Sequence, residues 1–413
     1  MTMQIKPILA AMRRHKAGTI LIGFQIALTL AIVCNALFII HGRMARVSRP
    51  SGVNETNLFV ISNVWAGNLS DHETAVQIQA DLDALLQLGS VEDATALNSF
   101  PLHGSGWDNI IRMKPDQIHM TTDSSIYLSD DHTLNTLGVK LIAGRNFTAN
   151  EVQALSIQTM ASWPVIIVSK DLATLLFPKG DALGKQIYAT NNNTPSTIIG
   201  ISDTLQSHMM DSDDNAFAYN AVLVPMREVG SGYIHYLIRA RPGQLAAAMR
   251  EAPKALIAQN RMRIFYANDG EVTFAKVRAK AYERDYGMAV LLVIVSAVLL
   301  AITAAGIVGL TSFWVGQRRR QIGVRRALGA TQGDILSYFM TENLLIAVGG
   351  IVVGTLLAIG INLWMVTHYG VAYLSGSYLL VAAIALLLLG QGAVFAPALR
   401  ASRVSPIEAT RTA

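Results

Sequence analysis

The chain has 413 residues, of which 52% are apolar and only 15% are charged, whereas an average soluble protein carries about 25% charged residues. This composition excludes an intrinsically disordered, collagen-like or disulfide-scaffold protein. Its 28 acidic and 33 basic residues are nevertheless too many for a chain buried wholly in lipid, so we expect membrane spans together with one sizeable polar domain. The net charge of +5 fits either a nucleic-acid partner or basic loops beside a membrane, and its position along the chain must decide.

Four long apolar runs predict transmembrane helices. They cover residues 17–40, 286–316, 335–367 and 374–399, and Glu342 is the one Asp, Glu, Lys or Arg among them. Even the first run would form a helix of about 36 Å, which exceeds the hydrocarbon core of about 30 Å. The alternative for this run is a cleaved signal peptide, because basic residues precede it. Its apolar stretch is longer than the usual length of about 7–15 residues, which favours a membrane anchor.

The flanking basic residues predict the orientation. Four Lys or Arg lie in residues 1–16, an amphipathic lead-in, five in segment 317–334 and three in the tail 400–413, whereas the loop 368–373 has none. The positive-inside rule then places both termini in the cytoplasm and residues 41–285 in the periplasm, outside the inner membrane. Residues 42–284 carry 21 basic and 24 acidic residues, a net charge of −3, so the positive charge belongs to the cytoplasmic face and nucleic-acid binding is unnecessary.

The segment between the first and second runs has a mixed α+β pattern. Short apolar stretches predict strands at residues 57–62, 164–168, 185–189, 197–201, 221–224 and 233–239. Helices are expected over residues 70–88, over 170–177 after a Ser169 N-cap, and over 242–259, where Pro253 should end or kink the helix. Residues 271–285 are polar and helix-prone, and they predict a stalk leading into the second span. The predicted fold is therefore an integral membrane α-helical protein, with four transmembrane helices arranged one plus three around a large inserted α+β domain.

Catalytic signatures are missing from this sequence. Residues 180–186 resemble a phosphate loop, but their spacing is one residue short and Gln186 replaces the magnesium-binding Ser or Thr. His208 with Asp211, Asp213 and Asp214 could bind a cation, although a solvated acidic loop explains the cluster better. The single cysteine, Cys34, lies in the first apolar run, where it is expected to be a small buried residue. We therefore expect no catalytic, cofactor-binding or metal-binding residues and no enzyme activity in this chain.

Segment 317–342 concentrates the cytoplasmic charge. Its five arginines are Arg318, Arg319, Arg320, Arg325 and Arg326. Arg319, Gly323 and Arg326 fall near one helical stripe, and Gly329 can end a short helix before a cap at Thr331 or Asp334. The residues alone leave two interpretations open: a topology signal that also binds anionic lipid, or a docking helix for a cytoplasmic partner.

A resemblance favours the docking helix. The segment resembles the signature of FtsX-like permease domains, with Gln321 where that family commonly has Glu. The matching residues are Arg319, Ile322, Gly323, Arg325, Arg326, Ala327, Leu328, Gly329, Ala330 and Glu342. The tail 397–412 resembles the ending of the same family, and residues 134–148, 165–187 and 197–203 resemble the periplasmic core domain of MacB-type transporters.

The resemblance implies the partners. Such permeases dimerise, with a second copy or a sister chain, and work with an ATPase subunit that binds ATP and Mg²⁺. This chain shows no ATP-binding motif, so no cofactor is expected in it. The five arginines would contact acidic surfaces of the ATPase, and Gly323 and Gly329 would allow its close approach. A periplasmic adaptor and an outer-membrane channel are further expected partners.

Glu342 and two glycines stand out in the third run. A charge within a span costs about 2.5–3.5 kcal/mol on insertion scales, so Glu342 needs a partner or an interfacial position. We expect it to make a polar contact between spans; the alternative is a carboxylate that reaches the lipid head groups. Gly350 and Gly354 form a small-xxx-small pair that predicts helix packing.

The predicted function is the permease subunit of a MacB-type ABC transporter that exports peptides, antibiotics or similar compounds. Two alternatives keep the fold: lipoprotein release from the inner membrane, and mechanotransmission that regulates cell-wall hydrolases. A membrane-anchored sensor without an ATPase is a fourth hypothesis, which the arginine-rich segment disfavours.

Overall fold

The computed structural model describes residues 16–67, 69–155, 163–188, 194–209, 217–229, 233–266 and 271–403. The chain divides into two compact units, which we call the membrane unit (residues 1–48 and 284–413) and the inserted domain (residues 49–283). Three predictions lie outside the described residues: most of the amphipathic lead-in, the tail beyond residue 403, and the three aspartates beyond His208.

The described residues include ten α-helices and thirteen strands. The helices are α1 (Lys16–Val47), α2 (Asp71–Leu86), α3 (Thr133–Leu137), α4 (Lys170–Leu176), α5 (Leu245–Gln259), α6 (Phe274–Ala281), α7 (Glu283–Gln317), α8 (Arg319–Ala327), α9 (Gln332–Tyr369) and α10 (Gly376–Ser402). The strands are β1 (Leu58–Trp65), β2 (Val91–Leu97), β3 (Trp107–Ile111), β4 (Thr122–Ser129), β5 (Leu141–Gly144), β6 (Gln153–Leu155), β7 (Val165–Ser169), β8 (Gln186–Ile187), β9 (Ser196–Ser202), β10 (Ala221–Glu228), β11 (Tyr233–Ala240), β12 (Arg263–Phe265) and β13 (Glu271–Thr273).

Four helices of the membrane unit, α1, α7, α9 and α10, are long and apolar enough to cross a membrane. Each starts or ends a few residues outside its apolar run, because polar residues at the interface can continue a helix. In the apolar stretch of α1, 56% of the residues are buried within the structure, against 17% for α7. Within the unit, α1 is therefore the central helix and α7 is peripheral. The predicted fold class, with one helix before the inserted α+β domain and three after it, is confirmed.

The first sheet of the inserted domain is antiparallel, with strand order β12-β1-β11-β2 and with β13 also paired to β1. Helices α2 and α5 cover one face, where Ile78, Leu82 and Leu256 pack against Phe59 and Tyr236. A capping box at Ser70 and Glu73 starts α2 by pairing backbone donors that the helix leaves free. The sheet and its two helices thus form one hydrophobic core.

The second sheet is mixed, with strand order β3-β4-β10-β7-β9-β5 and with β6 on β10 and β8 on β9. Strands β7 and β9 run parallel, whereas β7 and β10 are antiparallel. Helix α4 follows β7 directly and places Leu172 and Leu176 in the core of this sheet. The Ser169 hydroxyl accepts a hydrogen bond from the Leu172 backbone, as expected for an N-cap.

A buried charge network lies beside the first sheet. Arg263 on β12 donates to Asp81 on α2 at 2.5 Å and to Asn63 Oδ1 at 2.6 Å, and both charged side chains are fully buried. The Asp81 carboxylate also accepts hydrogen bonds from Gln77 and from the Tyr236 hydroxyl. Every charge-bearing group of the pair is therefore hydrogen-bonded, as a charge inside a protein requires.

The structure decides two details of this domain. Helix α5 reaches Gln259, the predicted end, and Pro253 does not end it, because Ala248, Ala252 and Leu256 keep the helix packed on the sheet. The predicted stalk is not one helix. Residues 271–273 form β13 on the edge of β1, and Tyr282 separates the end of α6 from the start of α7. Strand pairing with β1 overrides the helical propensity of the first of these residues.

Candidate functional site

The arginine-rich segment folds as α8, a short helix between two long ones. Gly329 ends it: its φ of +98° is a left-handed conformation that favours glycine, and its amide bonds the Arg326 carbonyl at 3.1 Å. Thr331 and Asp334 then form a capping box that starts α9. The predicted helix end and cap are therefore present, and they place α8 as a separate helix between two spans.

Glu342 lies opposite Arg318, the residue that joins α7 to α8. Arg318 Nη1 donates to both carboxylate oxygens of Glu342, at 3.2 and 3.0 Å, and Glu342 is only 3% exposed. The Arg318 guanidinium also lies 6.0 Å from the centre of the Trp314 ring. Glu342 thus has a protein partner and does not face the lipid. The pair connects the junction of α7 and α8 with α9.

Arg318 departs from its predicted role. It was expected among the arginines that contact an acidic surface of the ATPase, but it is buried and its charge is neutralised by Glu342. The physical reason is the cost of an unpaired carboxylate among apolar helices, which makes a nearby guanidinium the favoured partner. Gly323 is also buried within this unit.

The predicted stripe of Arg319, Gly323 and Arg326 is exposed at Arg319 and buried at Gly323, and a more exposed row lies beside it. Arg320, Val324 and Leu328 follow one another at intervals of four residues; Val324 is 48% exposed and Leu328 is 83% exposed. Arg319 lies exposed beside them, and neither Arg319 nor Arg320 has a hydrogen-bond or ion-pair partner within the described residues. We call Arg319, Arg320, Val324 and Leu328 the α8 face. Its mixture of positive charge and apolar surface suits an acidic groove with an apolar floor.

Arg325 and Arg326 bind within the membrane unit. The Arg325 guanidinium lies 5.1 Å from the ring centre of Tyr338 on α9, and Arg326 Nη1 donates to the Ser402 carbonyl on α10 at 3.1 Å. These contacts fix the orientation of α8 on the neighbouring helices. They leave Arg320, Val324 and Leu328 of the α8 face exposed and available to a partner.

Gly350 and Gly354 pack against α1. A Cβ atom on Gly350 would lie 2.7 Å from the Gly23 carbonyl oxygen, and one on Gly354 would lie 2.7 Å from the Ala27 carbonyl oxygen. Both distances are too short for a side chain. The two glycines therefore let α9 and α1 approach closely, in agreement with the helix packing expected of them.

A second ion-pair cluster, which sequence reasoning missed, lies at the other end of α7. Asp285 Oδ1 accepts hydrogen bonds from Arg43 Nη1 at 2.6 Å and from Arg46 Nη2 at 3.0 Å, both near the end of α1. The signal available in the sequence was one acidic residue, Asp285, just before the second apolar run and two basic residues, Arg43 and Arg46, just after the first run. Helix α7 is thus joined to its neighbours by ionic contacts near both ends.

The described residues offer no evidence of a metal centre. Among them, no group of three or more His, Cys, Asp or Glu is arranged to hold a metal ion. His208 is buried beside Asp108, with 3.8 Å between His208 Nε2 and Asp108 Oδ1, and burial lowers the pKa of its imidazole.

Comparison with known proteins identifies two domain families in this chain. Residues 25–256 match the MacB-like periplasmic core domain, and residues 293–406 match the FtsX-like permease C-terminal domain. A macrolide export ATP-binding/permease protein MacB of Nitrobacter winogradskyi is 27% identical over 97% of this chain and 59% of its own length. A protein of the same name from Chromobacterium violaceum is 26% identical over 66% of this chain and 41% of its own length.

The chain thus spans about 41–59% of the length of these two relatives. The crystal structure of the periplasmic region of MacB from Actinobacillus actinomycetemcomitans matches 57% of this chain and 97% of its own chain, with 13% identity and a TM-score of 0.36. The two domain matches lie in the order that the four membrane helices and the inserted domain predict. The chain belongs to the family of proteins that combine a MacB-like periplasmic core domain with an FtsX-like permease domain.

Proposed function

We propose that this chain is the transmembrane subunit of a MacB-type ABC transporter of the bacterial inner membrane and that it works with a partner ATPase subunit. One observation carries the proposal: α8 presents exposed arginines and exposed apolar side chains together, while its other face is fastened to the membrane helices. A helix that served only as a topology signal would have no need of a leucine that is 83% exposed.

The contacts of α8 provide a route for force. A partner that displaces the α8 face also pulls Arg318, which is held by Glu342 on α9 and directly follows α7. Helix α7 has 35 residues and is about 52 Å long, and few of its side chains are buried against neighbours. Little lateral packing therefore resists its movement, and the pairing of Asp285 with Arg43 and Arg46 couples its far end to α1.

In this mechanism α8 lies in the cytoplasm and the inserted domain lies in the periplasm. The arginine-rich segments on the α8 side support this orientation through the positive-inside rule. Closure of a dimeric ATPase would move α8, and α7 would carry the movement across the membrane to drive export. The names of the relatives favour a small exported compound, and two permease copies per transporter are part of the proposal.

The test compares variants of the α8 face with a matched control. The chain is co-expressed with each ABC ATPase encoded in its source genome, and co-purification and ATP hydrolysis are measured in lipid nanodiscs. We expect Arg320→Glu with Leu328→Asp to abolish co-purification with the ATPase that binds the unaltered chain. Arg403→Glu, a charge reversal at an exposed arginine after α10, should leave the complex intact.

Two results would reject the coupling role of the α8 face. One is undiminished co-purification of the double variant, and the other is equal loss in the Arg403→Glu control. Membrane insertion of each variant is checked by its resistance to carbonate extraction, so that loss of binding is not confused with loss of the protein.

A further inference from the structure

The inserted domain contains a cavity of about 450 Å³ that the transport proposal does not use. It lies between α6, the strands β1, β11 and β13, and the turn at residues 100–103. Its volume falls in the range of about 300–1,000 Å³ that is typical of sites for small molecules. The described residues that line it belong to the inserted domain.

The rim of this cavity is positively charged. Lys276 and Lys280 lie one turn apart on α6, both are exposed, and both line the cavity together with His103. No Asp or Glu is among the described residues that line it. Two ammonium groups on one side of a concave site attract an anion, and the low-dielectric wall strengthens that attraction.

The interior is apolar. Phe100 and Leu102 are buried beneath the rim, and Val272 and Val277 form the walls beside them. The Phe100 ring is itself packed, with its centre 4.5 Å from the His103 ring and 5.2 Å from the His235 ring. These contacts hold the aromatic wall in place, so a ligand would meet a largely preformed surface.

One buried polar atom behind the lining has no partner. His235 is fully buried, and its Nδ1 atom shares a hydrogen bond of 2.7 Å with the hydroxyl of Ser62, a lining residue. Its Nε2 atom has no hydrogen-bond partner within the described part of the chain. Buried polar atoms are usually hydrogen-bonded, so this nitrogen is one further polar group behind the lining of the cavity.

We infer that this cavity binds a small amphiphilic anion, with one sulfonate, carboxylate or phosphate group held by Lys276 and Lys280 and an apolar ring body against Phe100, Leu102 and Val277. The charges select the anionic group, and the volume selects a body of about drug size. Both features are required, so a free inorganic anion and an uncharged ring compound are each poor ligands.

The test uses two fluorescent probes with the same rings. Anilinonaphthalene sulfonate carries the anionic group, and phenylnaphthylamine lacks it. Both are titrated against the full chain in nanodiscs of neutral phosphatidylcholine, with the signal of empty nanodiscs subtracted. We expect saturable binding of the sulfonate at one site per chain, and affinity for it should fall about tenfold in Lys276→Ala with Lys280→Ala, because two charge contacts are lost. Weak binding of phenylnaphthylamine should be unchanged in that variant.

Matched variants separate the site from general effects. Lys179→Ala with Lys254→Ala removes the same charge from exposed positions of the inserted domain outside the cavity, and it should leave sulfonate binding unchanged. Ala281→Trp places a large ring in the cavity and should abolish binding of both probes.

Three results would overturn the inference: equal sulfonate affinity in the Lys276 and Lys280 variant and its control, undiminished binding in Ala281→Trp, or displacement of the sulfonate by phosphatidylglycerol but not by naphthalene sulfonate. The last result would assign the cavity to a lipid head group.

Discussion

The two units treat buried charge differently. In the inserted domain, Arg263 and Asp81 are fully enclosed and their hydrogen bonds are shared with Asn63, Gln77 and Tyr236. In the membrane unit, Arg318 and Glu342 rely chiefly on each other, and both side chains keep a small exposed fraction, 10% and 4%. The Arg263–Asp81 pair is part of a network within a core. The Arg318–Glu342 pair lies at the junction of α7 and α8.

The difference separates a rigid unit from a movable one. A network in which every partner is satisfied has one good arrangement, so it favours a single packing of sheet and helices. A single pair between helix ends can break and form again at lower cost, because a long side chain can turn its charged end towards water. We therefore expect the inserted domain to move as a body and the helix ends of the membrane unit to change their contacts.

The largest expected effect tests the rigid network. Arg263→Met should lower the free energy of unfolding of the inserted domain by about 3–5 kcal/mol, because it leaves the Asp81 carboxylate buried without its counter-ion. Burial already raises the pKa of Asp81 against the opposing effect of Arg263, so the pair itself stabilises the fold little. Urea unfolding of the full chain in nanodiscs, followed by pulse proteolysis, measures the loss.

Two variants sharpen that result. Arg263→Met with Asp81→Leu should recover much of the stability, since no unpaired charge remains. Arg261→Met, an exposed arginine two residues away, should change the free energy of unfolding little. If Arg263→Met is as stable as the Arg261→Met control, the network is not a rigid element.

The second prediction concerns Glu342. Glu342→Gln should destabilise the membrane unit by about 1.5–3 kcal/mol, the range for a lost hydrogen bond to a charged group. The effect should be smaller than in the inserted domain because Arg318 can reach the interface. Thermal unfolding in nanodiscs measures it, and a double-mutant cycle with Arg318→Gln isolates the pair. Additive losses of stability in the double variant would mean that the two residues are not coupled. In the presence of the proposed ATPase, Glu342→Gln should also reduce stimulation of ATP hydrolysis.

The smallest effect concerns pH and a partly exposed pair in the inserted domain. The hydrogen bond from His132 to Asp93, 2.7 Å long, raises the pKa of His132 to about 9. A raised histidine pKa contributes stability that is complete below the unfolded value of about 6.5 and is lost as the pH rises through about 9. The His132 side chain is 43% exposed, so solvent screening should keep the loss below about 1 kcal/mol.

Urea midpoints of the inserted domain at pH 6 and pH 9.5 test this expectation. The unaltered chain should lose more stability between the two values than His132→Ala does. An equal loss in both chains would show that His132 does not contribute to the pH dependence.

The sequence predicted some contacts but not their partners. Glu342 was recognisable as a lone charge in an apolar run, yet five arginines of the neighbouring segment were equally available to it in sequence. Gly350 and Gly354 indicated close packing but not that α1 is the helix they meet. The sequence placed Arg319, Gly323 and Arg326 near one stripe but did not show that Gly323 is buried, because the orientation of α8 is set by Arg325 on Tyr338 and Arg326 on Ser402.

Local chemistry explains what the sequence by itself determined. Charge-free runs long enough to span a bilayer, Gly329 and Thr331 at helix boundaries, and Ser70 and Ser169 at helix starts depend on residues close together in the chain. Tertiary structure alone decided that Arg318 pairs with Glu342, that residues 271–273 join the sheet, and that Lys276 and Lys280 flank an apolar cavity. These outcomes depend on groups brought together from distant positions, and the free energy of burying or pairing them exceeds the local preference of any one residue.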